Sequence, residues 1–518
     1  MSSRRARRAR ERALQTVSGV TLLAAVAASL VVGGRLGVAP VQAGEPAQVA
    51  VPPSASTLVC PGPLVLPGGS GRGDAGFDPV PVPPQARVEV LSVAGPGAGD
   101  VAVTGLDAAS VVTTLPAGGG STGLDAADTT TAVRAAPEQD APLVAATAAV
   151  RVTDGDLRGT AAVSCTAPGV EQWLVGGSTA PGATASLLLV NAGLTAAQVE
   201  VRVLGAAGPV DLATDLVVVA PGERSVVDLT GAAPGQPALV VHVASTGGQV
   251  AAYLQDARLD GFTPAGVELV APSAAPATRQ RVPGVSAGPD EADSAVLRLL
   301  ATERSTTATV TVLGADGPVD VPGLDRVALT AGTVVDVPLT GLPEGERTVV
   351  VDAGAPVVAA AESARTGEPG ELDDAPRVER AWSPSTPGDD GVVALPAGMD
   401  ARLVVGAVAA GDASGEGVGT ALLRVLDAQG EALLESTVTV DAGTTGAWDL
   451  AELSDEDLSD VAAGVQLVDA VGAELAWSVL VQREQADGTL VSVLVPVPAP
   501  AQEPTVAVVE DPRVALRG

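Results

Sequence analysis

Apolar residues along this chain come in short runs, rich in valine, that end at Pro-Gly, Ala-Gly or Gly-Gly. Short runs bounded by turn residues predict β-strands joined by tight turns rather than long helices. In ALVVHV (238–243), Leu239, Val241 and Val243 fall on one face, and Val240 and His242 on the other. That is the two-residue period of a strand. The stretch SDEDLSD (454–460) instead predicts one short helical turn, with Ser454 as its N-cap. The glycine-rich stretch LPAGGGSTGLDAAD (115–128) predicts a flexible loop.

The pattern repeats. VRVLGAAGPV (201–210) returns 109 residues later as VTVLGADGPV (310–319), and RVLDAQGEALL (424–434) is a weaker third copy. Two hairpins follow each copy in the same order, so the equivalent residues Leu204, Leu313 and Leu426 are spaced by 109 and 113. Val201 with Val203, and Val310 with Val312, are expected to face a core. Arg202 and Leu204 share the other face, and the leucines Leu204 and Leu313 are expected in the bends made by Gly205 and Gly314. A period near 110 residues predicts an all-β chain of tandem β-sandwich modules of immunoglobulin type. A β-propeller, with blades about half that size, is the alternative.

The expected order is a basic tail (1–12), a transmembrane segment (13–34) and a first β domain holding both cysteines (46–168). Three β repeats (169–275, 276–385, 390–498) and an extended Pro/Ala-rich tail (499–518) follow. Between Arg12 and Arg35 lie 22 uncharged residues, preceded by six arginines. That length crosses about 30 Å of hydrocarbon as a helix. The basic flank stays in the cytoplasm, which puts the bulk of the chain outside a cell membrane as a single-pass protein. Val41-Gln42-Ala43 also fits a signal-peptidase site, so cleavage is the alternative to a signal anchor.

The two cysteines, Cys60 and Cys165, each end a short apolar run. Export predicts a disulfide between them, with two buried thiols as the alternative. The net charge of −32 disfavours nucleic acid as a partner, because phosphate neutralisation needs clustered positive charge. Hydrophobic residues make up 46% of the chain but aromatics only 1%, so cores must be packed from Val, Leu and Ala.

Candidate chemistry is sparse. His242 is the only histidine and sits in a valine-rich strand, which removes multi-histidine metal sites. Gly284-Val285-Ser286-Ala287-Gly288 matches a nucleophile elbow but lacks its strand-turn-helix context, so it reads as a linker turn. The motifs Gly71-Gly73-Gly76 and Gly118-Gly120-Gly123 open no helix, and Arg72-Gly73-Asp74 lies on the first of these loops. Carboxylates remain, and a pair of them at glycosidase spacing would be an enzyme's only material. Asp154, Asp156, Asp373 and Asp374 lie in turn-rich stretches and are the candidates for calcium. No cofactor is expected.

QWLVGGSTAPGATASLLLVNAGLTAAQVEVRVLGAAGPV (172–210), the CPGP at Cys60 and APATRQRVPGV (275–285) resemble an actinobacterial family known only as a domain of unknown function. The resemblance spans roughly 45–500 and implies a secreted, membrane-anchored protein, often encoded beside a cell-envelope glycosyltransferase. It carries over no catalytic residue. The expected function is a non-catalytic scaffold or interaction protein of the cell envelope, with an envelope protein or glycopolymer as partner. A carboxylate-dependent enzyme on envelope glycan and a calcium-dependent adhesin are the alternatives.

Overall fold

The computed structural model describes residues 53–499 apart from 69–78, 96–97, 107–109, 127, 139, 291, 371–374, 389, 410–416 and 455–457. It also describes 47–50 and 505–508. The expected membrane segment (13–34), the Gly71-Gly73-Gly76 motif, Arg72-Gly73-Asp74, Asp373 and Asp374 lie outside the described residues. No described helix is long and apolar enough to cross a membrane. Residues 53–502 form one compact unit, and 1–52 with 503–518 form another. In the latter, Ala47–Ala50 pairs antiparallel with Thr505–Val508, so part of the tail expected to be merely extended is a paired strand.

The larger unit is all-β. Its second module shows the plan. One sheet orders Glu171–Val175, Leu239–Thr246 and Ala197–Gly205, with Gly208–Val210 and Leu216–Val219 at the edge. The other orders Arg224–Asp228, Ala183–Val190, Ala251–Asp260 and Thr263–Val270. The two sheets share one apolar core in a sandwich-like arrangement. The same strand order recurs three more times. In the third module, the single 25-residue strand Gly345–Pro369 runs from one sheet into the other and joins them.

The first module, set apart by sequence, is a fourth copy. Its sheets order Ser56–Val59, Thr131–Pro137, Ala98–Gly105, Ser110–Leu115 and Gly120–Asp125, Gln85–Ser92, Val144–Val152, Gly159–Ser164. Val101 and Val103 occupy the places of Val201 and Val203, and all four are buried. Sequence drift hid the copy, because little beyond the alternation of core residues and the glycine at 105 has been kept.

The last strand of each module lies innermost. We label these β1 (Gly159–Ser164), β2 (Thr263–Val270), β3 (Pro376–Pro384) and β4 (Gly488–Leu494). β1 packs on β2, β2 on β3, β3 on β4 and β4 back on β1. The four modules therefore close a ring instead of standing as a string. No sheet closes into a barrel. The all-β, sandwich-like expectation holds, with the modules packed in a closed cycle through β1 to β4.

Burial shows why the ring holds. Ala197–Gly205, in an outer sheet, alternates buried and exposed residues, whereas Ala251–Asp260 is buried over its first seven residues. A strand covered on both faces reads as a continuous apolar run. Each second sheet is covered by its own partner sheet and by the neighbouring module. Leu188 and Tyr253 of the second module thus join the first module's core, and Leu300 and Val358 of the third join the second's.

Val201, Val203, Val310 and Val312 are buried as the strand period requires. The leucines depart from expectation and sit at the seams between modules. Leu204 packs on the cluster holding Leu300 and Val334, Leu313 on Val350 and Val408, and Leu426 on Leu91 and Ala145. The bends are already occupied, since a Cβ on Gly205 or Gly314 would meet Gln236 or Val319.

Three local expectations are corrected. Gly284–Ala287 is no linker turn but the end of the strand Ala277–Ala287, with a register shift between Pro283 and Val285. Residues 120–125, expected in a flexible loop, form a strand whose Ser121 N–H donates to Ala428 O of the fourth module at 2.8 Å. Gly119 allows that approach, because a Cβ there would lie 2.7 Å from Gln429 O. The described part of 454–460 contains no helix; the nearest helical turn is Leu450–Glu452.

Candidate functional site

The ring's centre is polar. Glu268 on β2 and Glu379 on β3 are both buried. The Glu379 carboxyl accepts the Thr160 N–H of β1 at 2.7 Å and lies 3.7 Å from Arg158 Nη1. Arg158 in turn pairs with Asp487 at 2.8 Å. Glu268 accepts the N–H of Leu269 at 2.8 Å and contacts the hydroxyl of Ser492 on β4. The same hydroxyl accepts the N–H of Ala162 on β1 at 3.0 Å. Every inner strand therefore contributes a hydrogen-bonding group to the axis.

Burial dominates the electrostatics. It pushes Glu379 up to about 8, against the lowering effects of the Thr160 amide and Arg158. It also raises Glu268 well above the ordinary carboxyl range, with the nearby charges of Glu379 and Asp256 adding to the rise. Glu379 is mostly protonated at neutral pH, and burial favours the neutral form of Glu268 as well. Neutral, hydrogen-bonded acids avoid the large cost of a buried unpaired charge.

Further out the charges are paired. Burial favours neutral Glu362, but Arg258 and Arg380 outweigh it and hold the carboxyl below its usual range. Asp256 accepts from Arg258 at 3.1 Å and from the Trp382 indole at 3.2 Å. Arg298 crosses the same seam. It donates to Gly177 O at 2.6 Å, pairs with Asp336 at 2.7 Å and stacks 4.9 Å over Trp382. These contacts tie the second module to the third.

Cys60 and Cys165 are joined by a disulfide with a Cα–Cα distance of 4.5 Å. His242 lies on an outer sheet, stacked on Trp173 at 4.1 Å, with Nε2 3.2 Å from Glu171 Oε1. Ser286 is buried in a strand of a different module, so the two are not brought together as a catalytic pair. Gly118 lies in the turn before the strand Gly120–Asp125, which contains Gly120 and Gly123. Asp154 accepts the N–H of Gly155, while the backbone of Asp156 donates to Pro79 O. Among the described residues no three potential ligands gather as a metal site would require.

Sequence reasoning missed Glu268 and Glu379. For Glu268 the signal was a lone carboxylate inside the apolar run AGVELV (265–270); Glu379 gave no such signal, because Arg377 and Arg380 flank it in RVERAW (377–382). The carboxyls are close enough to influence each other, and neither lines the cavities at Arg151, Ser121 or Leu194. Their contacts join strands across the ring, Glu379 with β1 and Glu268 with β4.

No curated protein matches the chain. A solved structure described as "Biofilm associated protein - BSP domain" aligns with 89% of this chain and 100% of its own at 10% identity. Its TM-score is 0.11, too low to carry an argument. Residues 121–451, well over half of the sequence, match the family of unknown function DUF5719, and the chain belongs to that family.

Proposed function

We propose that the protein is a non-catalytic, extracytoplasmic scaffold or interaction protein of the cell envelope, anchored through residues 13–34. The observation that carries this reading is the sealing of Glu268 and Glu379 at the ring's axis. A general acid and its partner must reach the substrate. The Cys60–Cys165 disulfide supports an oxidising compartment. The closed ring supports a rigid platform whose outer sheets remain available to a partner, such as an envelope protein or glycopolymer.

Two measurements test the reading. The protein should remain in membranes after a high-salt wash and keep its N-terminus; a mature chain beginning at Gly44 would remove the anchor but leave export intact. Envelope polysaccharides incubated with the purified protein should be bound saturably without turnover. Turnover would make it an enzyme, and chelator-sensitive self-association would favour an adhesin.

A further inference from the structure

Many arginines of the ring are neutralised by carboxylates, among them Arg158, Arg258, Arg298 and Arg380. Arg151 and Arg483 make no ion pair among the described residues, and both line one cavity of about 200 Å3. Arg87 lines it too, with its Nε 3.0 Å from Glu89. The cavity lies at the seam where the first module meets the fourth. Residues 332 apart in sequence are brought together there only by closure of the ring.

The unpaired guanidiniums retain donor capacity. Arg151 donates through Nη2 to Gln85 Oε1 at 3.2 Å, and Arg483 through Nη1 to Gly398 O at 3.1 Å. A guanidinium carries five N–H donors, so most are not used by these bonds. Glu89 is engaged with Arg87, which leaves Arg151 and Arg483 without an ion-pair partner among the described residues. Val150, Met399 and Leu490 add an apolar wall beside them.

In a chain of net charge −32, such a convergence of positive charge is a local inversion of sign. Guanidiniums recognise carboxylate and phosphate oxygens through paired, charge-assisted hydrogen bonds. We propose that this seam cavity binds a small ligand carrying a phosphate or carboxylate on an apolar body. The inference does not depend on the scaffold reading, because a ligand site of this kind fits an enzyme as well as a binding protein.

Titration calorimetry of the full-length protein at low salt tests it, with phenyl phosphate, benzoate and benzyl alcohol as probes. At least one anion should bind saturably, with benzyl alcohol weaker by on the order of tenfold; which anion binds separates phosphate from carboxylate recognition. The double variant Arg151→Gln, Arg483→Gln should weaken the anion by on the order of tenfold. Arg202→Gln, at an exposed arginine of the second module, should leave it unchanged. Anions binding no tighter than benzyl alcohol, or a double variant that binds as the native protein does, overturn the site. Arg483 is exposed, so Arg483→Gln alone decides the matter if the Arg151 change impairs folding.

Discussion

Glu379 accepts the backbone N–H of Thr160 at 2.7 Å across 219 residues of sequence, joining β3 to β1 at the centre of the ring. The bond survives protonation, because a neutral carboxyl still has an acceptor oxygen. Burial sets the Glu379 pKa near 8, against an ordinary value of 4.5. A group raised on folding stabilises fully below its unfolded pKa, and that stabilisation is lost as pH climbs through its folded pKa.

The expected outcome is a thermal midpoint that falls between roughly pH 5 and pH 9. Glu268 is raised by burial too, so the comparison with a variant at Glu379 isolates the contribution of that one carboxyl. Glu379→Gln keeps an acceptor for Thr160 and removes the proton, so its curve should be flatter and higher at alkaline pH. Parallel curves for the two proteins would show that Glu379 does not titrate here.

Val203 and Arg202 are neighbours on one strand with opposite environments. Val203 is 1% exposed, and the Arg202 side chain is 64% exposed beside Glu200. Val203→Ala should cost roughly 1–3 kcal/mol through the cavity it leaves. Arg202→Ala should change stability by no more than about 0.5 kcal/mol. Urea unfolding measures both, and equal losses would show that the strand's faces are misassigned.

Leu426 tests the ring's closure. It packs with Leu91 and Ala145 of the first module and with Val392 and Ala394 of its own. Leu426→Ala should destabilise by roughly 2–5 kcal/mol, as other buried leucine truncations do. Proteolysis should then cut first between the first and fourth modules. Cleavage spread evenly over the chain would place the lost stability elsewhere.

The Cys60–Cys165 disulfide closes a loop of 105 residues. In the chain-entropy model a loop of that size contributes roughly 4–5 kcal/mol. Reduction should lower the unfolding midpoint, and neither thiol should be alkylated in the unfolded protein until reductant is added. An unchanged midpoint after verified reduction would mean that ring closure alone restrains the first module.

The legibility of the sequence differed between elements. The repeat at 201–210 and 310–319 carried its strand, turn and core face openly, because Gly205 and Gly314 mark the bends and valine alternates before them. The first module was not legible as a copy, since DVAVTGL (100–106) shares only the alternating valines and the bend glycine, Gly105. Its Thr104 stands where Leu204 does in the second module, and an open cavity at the seam between these modules is lined by Thr104 and Leu194. The axis carboxylates were visible as residues but not as a pair.

Strands, turns, the repeat and the inward valines were determined by the sequence itself, because strand period and turn chemistry act over a few neighbouring residues. Tertiary structure alone decided that four modules close a ring, that Leu204, Leu313 and Leu426 face the next module, and that Glu268 and Glu379 meet at the axis. Those outcomes depend on which neighbour covers the second face of each inner sheet. The contact of Ser164 with Val495 spans 331 residues, and no local pattern records a partner that distant.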